Sequence, residues 1–308
     1  MEAALIAWVR SRLAPHELVA VGPGDDAAVL RTAGRRDTVV TVDLLSDGVD
    51  FQLDRVDPRR VGHKALAVNL SDLAAMAARP MAVWVAVCLP RRGGFEIARQ
   101  LVDGMLPLAE RYGVALAGGD TNSWDGPLVV SVTAMGEVTG SGPLRRDGAR
   151  PGDRIVVTGA LGGSILGRHL DFEPRVCEAM ELHARYGLHA GIDISDGLLV
   201  DLAHVADASG VGAAVDLPRV PIAEDAHRLA LERADGATAL DHALGDGEDF
   251  ELLLAVPPSE AERMLADRPI AAPLTVIGEF VAERGLWRRE AGGRFAPLEP
   301  RGWRHRFD

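Results

Sequence analysis

The chain alternates short apolar runs with segments of helical spacing. Residues 2–13 place apolar side chains near helical spacing, which predicts a short amphipathic helix. Beyond it, β-branched apolar runs bounded by Gly, Pro or Asp predict strands. In the first half these predicted strands cover residues 18–21, 38–44, 81–88, 114–117 and 128–135.

Two longer stretches between these strands, residues 58–78 and 95–112, carry apolar side chains at helical spacing. Helices mixed with strands indicate an α/β or α+β fold. Residues 140–153 are rich in Gly and charged side chains, as connectors are. With 308 residues, the chain is long enough for two domains, which we predict over residues 1–139 and 140–308.

The second half echoes the first. We predict strands over residues 155–158 and 250–256 and a helix over residues 198–208. Asn69-Leu-Ser-Asp72 resembles Asp193-Ile-Ser-Asp196, and the Gly-Glu ending at Glu137 resembles the one at Glu279. Two short matches leave both duplication and chance open.

Acidic residues recur where the predicted apolar elements begin or end. They follow predicted strands, stand where a predicted helix is interrupted, or precede a helix or strand. In chain order they are Asp25, Asp26, Asp43, Asp72, Asp120, Asp193, Asp196, Glu248 and Asp249.

Metal chemistry gives a reason for this recurrence. Mg²⁺ prefers oxygen ligands and commonly takes one or two carboxylates together with substrate phosphates. Aspartates beside a nucleoside triphosphate would repel it unless cations lay between them. Helix capping is the alternative for Asp72 and Asp196, and a simple turn is the alternative at Asp47-Gly48. Because capping alone does not explain Asp43 and Asp120, we favour an acidic site for Mg²⁺ and a nucleotide.

Composition and motifs argue against several other classes of protein. The formal net charge of −12 argues against a nucleic-acid partner, which needs a basic surface. The sequence has no apolar stretch long enough for a membrane span and no secretion signal, so we expect a cytoplasmic protein. It also lacks the Gly-x-x-x-x-Gly-Lys-Ser/Thr loop and the spaced Cys or His pairs of zinc sites.

An ordered set of motifs runs nearly from end to end. The set resembles the thiamine-monophosphate kinase family, within a larger group that includes aminoimidazole ribonucleotide synthetase, selenophosphate synthetase and a hydrogenase maturation protein. The ending Gly302-Trp303-Arg-His305 is the most specific piece. The others are Gly24-Asp-Asp26-Ala-Ala-Val-Leu30, Thr41-Val-Asp43, Gly48-Val-Asp50-Phe51, Lys64-Ala-Leu-Ala-Val-Asn-Leu-Ser-Asp72, Gly118-Gly-Asp120-Thr121, Arg146-Asp-Gly-Ala-Arg-Pro-Gly-Asp153, Ile192-Asp-Ile-Ser-Asp-Gly-Leu198 and Gly247-Glu-Asp-Phe-Glu-Leu-Leu253.

This resemblance implies two α/β domains, the N-terminal one pairing with its copy in a homodimer, with ATP near the interface. It implies transfer of the ATP γ-phosphate directly to thiamine monophosphate, giving thiamine diphosphate without a phosphorylated enzyme or a protein nucleophile. Phosphoryl transfer depends mainly on positioning and charge neutralisation, so a protein nucleophile is not required.

The resemblance also implies roles for individual residues. The metal ligands would be Asp26, Asp43, Asp72, Asp120 and Asp193, with Thr41 assisting and Asp196 holding a further Mg²⁺. ATP would contact Gly119, Asp120, Arg146 and Ser195. Thiamine phosphate would contact Glu248 and Trp303, together with the residue at position 50. Trp303 could instead anchor the C-terminus on its domain.

Three positions depart from the family pattern. The family often has an aromatic residue near Asp103, on the ATP side, and this chain has none there. Val42 stands where a Thr is usual, so a hydroxyl ligand is expected to be missing. Asp50 stands where a His is usual that faces the substrate phosphate, and a carboxylate there would repel phosphate. Asp50 therefore favours a sister enzyme acting on another small molecule. A non-catalytic nucleotide-binding paralogue is the remaining alternative, and the intact set of acids opposes it.

Overall fold

The computed structural model describes residues 2–14, 16–32, 36–233, 235–290 and 292–303, and the side chains of residues 2–6 are outside this description. Its first half has the following elements. They are α1 (Glu2–Arg12), β1 (Val19–Val21), β2 (Ala28–Leu30), β3 (Thr38–Ser46), α2 (Pro58–Ala75), β4 (Arg79–Pro90), α3 (Gly94–Tyr112), β5 (Ala115–Trp124) and β6 (Val129–Glu137).

The first half forms one sheet in the order β1-β2-β3-β6-β4-β5. All of its neighbouring strands are antiparallel except β4 and β5, which run parallel. On β6 the residues Val130, Val132 and Ala134 are fully buried, and their neighbours in sequence are partly exposed. This alternation shows that one face of the sheet covers a core and the other faces outward.

The second half has the following described elements. They are 3₁₀ turns at Arg146–Gly148, Ser164–Leu166 and Leu217–Arg219, with β7 (Arg154–Thr158), α4 (Arg168–Asp171), α5 (Val176–Arg185), β8 (Ala190–Asp193), α6 (Leu198–Ser209), β9 (Gly212–Val215), α7 (Glu224–Arg233), α8 (Ala239–Gly245), β10 (Leu252–Val256), α9 (Pro258–Asp267), β11 (Leu274–Val281), β12 (Gly285–Arg289) and β13 (Phe295–Pro297). Its sheet has the order β13-β12-β9-β11-β7-β10-β8.

Two mixed sheets with helices confirm the predicted α/β fold class. The first sheet ends at Glu137 and the second begins at Arg154. The domain boundary between residues 139 and 140 stays a prediction. In the described part of the chain, no helix is long and apolar enough to cross a membrane. The cytoplasmic location also stays a prediction.

Helix α2 lies at the centre of the molecule. It begins where Asp57 accepts the backbone N–H of Arg59 at 2.8 Å, with Pro58 in the first turn. It packs against α3 and also reaches α4, α5 and β8 of the second half. The prediction carried this helix to residue 78, but it ends at Ala75, and Ala77 has a left-handed φ of 49°.

Polar contacts also join helix α2 to the second half of the chain. The Arg60 Nε donates to both Asp171 carboxylate oxygens at 2.9 Å, and the His63 Nε2 lies 2.8 Å from the Phe172 carbonyl oxygen. These contacts fix α2 against the second half. The functional side chains of α2 are therefore presented between the two sheets.

Candidate active site

Three carboxylates from distant parts of the sequence meet beside α2, and those of Asp26 and Asp193 are buried while Asp72 is partly buried. Asp26, Asp72 and Asp193 each offer one carboxylate oxygen that could ligate a metal ion, and these oxygens all lie within 4.8 Å of one another. Asp26 lies in the loop between β1 and β2, Asp72 in the last turn of α2, and Asp193 at the end of β8. We call these three residues the acidic cluster.

Two hydroxyl groups orient the acidic cluster. The Thr41 hydroxyl donates to the Asp72 carboxylate, and the Ser71 hydroxyl donates to the Asp193 carboxylate at 2.5 Å. The structure thus places Thr41 beside the acids, and its predicted role as a metal ligand stays a prediction. Ser71 and Asp72 are consecutive on α2, so one helix turn contributes an acid and also holds an acid of the other sheet.

The crowding of acids disfavours their ionisation. Burial, and then the negative charges of Asp43, Asp193 and Asp26, raise the pKa of Asp72 well above its usual range. Burial and Asp26 raise the pKa of Asp193 to about 7. A divalent cation among these oxygens would offset both effects, since it supplies the opposite charge that the cluster needs.

Asp43 adds a fourth carboxylate to this neighbourhood. It lies inside β3, and burial followed by the charge of Asp50 raises its pKa to about 6. Its Oδ2 atom is buried without a hydrogen-bond partner among the described residues. A buried orphan oxygen is costly unless a ligand satisfies it. The donor set of carboxylates and a hydroxyl therefore fits Mg²⁺.

The prediction that acids stand at the ends of apolar elements is partly wrong. Asp193 does end β8, but Asp43 lies within β3, Asp72 within the uninterrupted α2 and Asp120 within β5. A strand continues past its apolar residues while its backbone stays paired with a neighbouring strand, because backbone hydrogen bonds do not depend on side-chain polarity. Capping by Asp72 is likewise wrong, since it lies in the last turn of α2.

Arg146 closes one side of the acidic cluster. Its guanidinium makes a two-pronged contact with the Asp26 carboxylate, with Nε 3.0 Å from Oδ2. Its backbone N–H donates to Asp25 at 3.3 Å. Burial and then the charge of Asp26 raise the pKa of Asp25 to about 6. A planar fork of this kind is suited to phosphate oxygens as well as to a carboxylate.

The loop after β8 is held by an acid that the sequence analysis did not select. One carboxylate oxygen of Asp201, in α6, accepts the backbone N–H groups of Ser195, Asp196 and Gly197 at 3.0, 3.1 and 3.0 Å. Asp196 is therefore not the cap of α6. It belongs to a second acidic group, with Asp201 and His204, rather than to the acidic cluster.

Glu248 lies in a strained loop that touches the loop of Ser195. Its backbone N–H donates to the Ser195 carbonyl at 2.7 Å, and its φ of 54° is left-handed. Its carboxylate accepts a hydrogen bond from the ammonium of Lys64 on α2. The same ammonium donates to the carbonyl oxygen of Asp50 at 2.7 Å. Lys64 thus connects the two loops predicted to contact the phosphate acceptor.

The Asp50 side chain is engaged in its own turn. Its Oδ2 accepts the backbone N–H of Ser46 at 2.7 Å and approaches the Ser46 hydroxyl at 3.4 Å. The carboxylate therefore stabilises the turn after β3. His63 does not supply a replacement for the family histidine here, since its ring is bound to the Phe172 carbonyl.

The C-terminal tail packs on the Ser195–Asp196 loop. The backbone N–H of Trp303 donates to the Asp196 carbonyl at 2.8 Å. A Cβ added at Gly302 would lie 2.4 Å from the same oxygen, so only glycine fits. Trp303 is therefore beside the predicted ATP loop, with its side chain half exposed. His305 lies outside the described residues.

Gly119, Asp120 and Val42 are not part of the acidic cluster and lie on β5 and β3 of the first sheet. The register puts Leu44, Ser131, Ala86 and Asp120 in one row across four strands, on the outward face of the first sheet. Val42 also faces outward and is 63% exposed, whereas Thr41 is buried. A side chain at position 42 therefore points away from the face of β3 that carries Asp43 and lies on the face that carries Asp120. The expectation that Val42 leaves a hydroxyl ligand missing stays a prediction.

Two family models match the chain: AIR synthase related protein, N-terminal domain, over residues 24–138, and AIR synthase related protein, C-terminal domain, over residues 150–287. These two models define the class of protein to which the two halves of this chain correspond. A curated thiamine-monophosphate kinase from Rhodopirellula baltica is 43% identical over 312 residues, covering 99% of this chain and 97% of that protein. The chain belongs to the thiamine-monophosphate kinase family, which confirms the predicted resemblance.

Solved structures agree with this assignment. The structure of AaThiL complexed with AMPPCP and TMP has a TM-score of 0.80 and 28% identity, covering 99% of this chain and 96% of that one. Thiamine-monophosphate kinase from Stenotrophomonas maltophilia K279a has a TM-score of 0.73 and 37% identity, covering 95% of this chain and 97% of that one.

Proposed function

We propose that this protein phosphorylates thiamine monophosphate with ATP to give thiamine diphosphate. The convergence of the buried acidic cluster between the two sheets carries the proposal, because phosphoryl transfer needs dense charge neutralisation at one point. Family membership supports a kinase, and a relative of the same fold carries both AMPPCP and TMP.

Asp26, Asp43, Asp72 and Asp193 would hold Mg²⁺, with Thr41 assisting. The bound ions would neutralise phosphate charge during an in-line transfer. Ser71 and Thr41 keep two of the carboxylates in fixed orientations. Asp196 would hold a further ion at the loop that Asp201 fixes.

The remaining polar groups are proposed to bind the substrates. Arg146 offers its fork to ATP phosphates beside the acidic cluster, and Ser195 contacts ATP from the loop after β8. Glu248 and Trp303 contact the acceptor from neighbouring loops. No side-chain nucleophile is needed, since the acceptor's own phosphate oxygen attacks. Asp50 no longer favours a sister enzyme, because its carboxylate is bound within its turn.

The direct test is product formation. With saturating ATP and Mg²⁺, we expect the purified protein to convert thiamine monophosphate to thiamine diphosphate, measured by chromatography of the products. Radiolabelled ATP is expected to leave no label on the protein. Replacing Mg²⁺ by a chelator should abolish turnover, because the phosphates and acids would then repel one another. Absence of thiamine diphosphate under these conditions would refute the proposed reaction.

We further propose a homodimer formed through the outward face of the first sheet. Val42 and Leu44 are 63% and 66% exposed there, and Trp84 shares a row with Val42 through Thr133. Contiguous apolar surface of this kind marks an interaction site. The parallel edge strand β5 brings Gly119 and Asp120 to the same surface. Their predicted contacts with ATP would then lie near the dimer interface.

Leu44→Asp is expected to convert the dimer to a monomer, because it places a charge in an apolar interface. Sedimentation velocity or light scattering would show half the wild-type mass. Leu231→Asp is the matched control, since Leu231 is 83% exposed on α7, away from this sheet. A wild-type protein that is monomeric at micromolar concentration would contradict the dimer.

A further inference from the structure

Lys64 is singular in both sequence and structure. Of the 33 lysine and arginine residues in the chain, it is the only lysine. It is also only 1% exposed. Charged side chains are almost never fully buried without a partner, so this position has a specific requirement.

The contacts of Lys64 explain why arginine has not replaced it. Its ammonium donates to the Asp50 carbonyl oxygen at 2.7 Å and to the Glu248 carboxylate. Glu248 is 184 residues from Lys64 along the chain and Asp50 is 14, so the two acceptors belong to different halves of the chain. A compact ammonium with three donors can serve two converging acceptors, whereas the planar guanidinium fork needs more room.

The position of Lys64 on α2 relates it to the acidic cluster. Lys64 and Ser71 are seven residues apart, so they share one face of the helix. Asp72 lies about 12 Å farther along the helix axis than Lys64. On this face Ser71 holds Asp193, and Lys64 holds Glu248. One rigid helix therefore sets the spacing between the acidic cluster and the Glu248 carboxylate.

We infer that Lys64 is a positioning residue for the phosphate acceptor. It binds Oε1 of Glu248 and thereby fixes the strained loop, so that Oε2 can accept a hydrogen bond from an amino group on the acceptor's heterocycle while the acceptor's phosphate lies at the acidic cluster. The inference rests on the proposed function and adds to it the residue that determines acceptor affinity.

The charges and the exposure of the two side chains support a contact role for Glu248 and a positioning role for Lys64. A carboxylate such as Glu248 repels a phosphate and attracts an amino group, so the heterocycle is the part of the acceptor that it suits. The side chain of Glu248 is 32% exposed, which leaves it reachable, while that of Lys64 is 1% exposed. Lys64 therefore acts through Glu248 rather than by touching the acceptor.

Lys64→Met is the informative variant, because methionine fills a similar volume and removes a buried charge while Glu248 stays partly solvated. We expect the KM for thiamine monophosphate to rise about tenfold or more, with the KM for ATP changed by less than about twofold. Arg60→Met is the matched control. It removes another cationic bridge from α2 to the second half, and the KM for thiamine monophosphate is expected to change by less than about twofold.

A double-mutant cycle separates positioning from general loosening. If Lys64 acts through Glu248, the Lys64→Met and Glu248→Gln double variant should show no larger a KM than the worse single variant. Multiplication of the two single effects would overturn the inference. An unchanged KM for the acceptor in a folded Lys64→Met protein would overturn it as well. Wild-type turnover of thiamine monophosphate tests the proposed function separately from the role of Lys64.

The single lysine provides a measurement on the unmodified protein. Isotopically labelled lysine gives one side-chain signal in an NMR spectrum, which belongs to Lys64. We expect this signal to shift on addition of thiamine monophosphate with an ATP analogue that cannot transfer its phosphate, and to shift much less with the analogue alone. A signal that does not respond to the acceptor would overturn the inference even if Lys64→Met failed to fold.

Discussion

Asp72→Asn is expected to lower kcat by about a thousandfold at saturating Mg²⁺ and ATP, because it removes one charge from the centre of the acidic cluster. Asparagine is nearly isosteric and can still accept the hydrogen bond from Thr41, so the loss reports charge rather than shape. Steady-state kinetics of thiamine diphosphate formation would measure it. Asp54→Asn, at an exposed position before α2, is the matched control and should retain wild-type activity.

The same substitution is expected to raise stability when Mg²⁺ is absent. The pKa of Asp72 is raised in the folded protein, mainly by burial and then by Asp43. A carboxyl group with a raised folded-state pKa favours folding while it is protonated, and this contribution is lost as the pH rises through that pKa. At neutral pH an amide removes this penalty. Urea denaturation in a chelator should therefore show a higher free energy of unfolding for Asp72→Asn.

Together these results would show that the acids are retained for function at a cost in stability. A variant that keeps more than a tenth of wild-type kcat would contradict a metal-binding role for Asp72. Lower stability of the variant in chelator would contradict the electrostatic account of the acidic cluster. The two measurements are independent, so either part can fail alone.

Gly104→Ala is expected to lower the free energy of unfolding by about 3 kcal/mol, because α2 and α3 touch through their backbones. A Cβ at Gly104 would lie 1.8 Å from the Arg59 carbonyl oxygen, and one at Gly62 would lie 2.0 Å from the Leu101 carbonyl oxygen. Alanine favours helix by about 1 kcal/mol over glycine, so a net loss would come from the clash. Urea denaturation would measure it.

Activity is expected to fall with stability in Gly104→Ala, because α2 carries Lys64, Ser71 and Asp72 and must shift to relieve the clash. Gly140→Ala is the matched control, since nothing lies within 4 Å of a Cβ built there and the backbone is not left-handed. Equal stability of Gly104→Ala and wild type would mean that the two helices can separate without cost.

Local sequence patterns predicted the regular elements well where apolar spacing is strong. The helix α3, at Gly94–Tyr112, differs from its predicted range by one residue, and β3 begins where expected. The predicted strand over residues 114–117 is too short, because β5 runs to Trp124. Gly118 and Gly119 end the apolar pattern there, but pairing with β4 continues the strand. The predicted strand from residue 250 begins instead at Leu252, since Phe250 has a φ of 52°.

The residues of the candidate site were predicted less completely than the helices and strands. The ordered motifs selected Asp26, Asp72 and Asp193, which do converge. They did not select Lys64 or Asp201 for any role. A lone lysine among many arginines, and an acid inside an apolar helix, were signals that could have identified these two. The hydrogen bond between Asp50 and Ser46 was not predicted, because a side chain's local turn is not visible in a comparison of residue types.

The sequence by itself determined the family, the mixed α/β character and the residue types of the site, since these follow from motif order and side-chain chemistry. Only the tertiary structure decided which acids meet, that Asp120 and Val42 face outward, and that Lys64 connects two loops. The contacts Ser71–Asp193 and Lys64–Glu248 join residues more than a hundred positions apart, and they depend on how α2 packs between the sheets. Spacing along the chain carries no information about that distance in space.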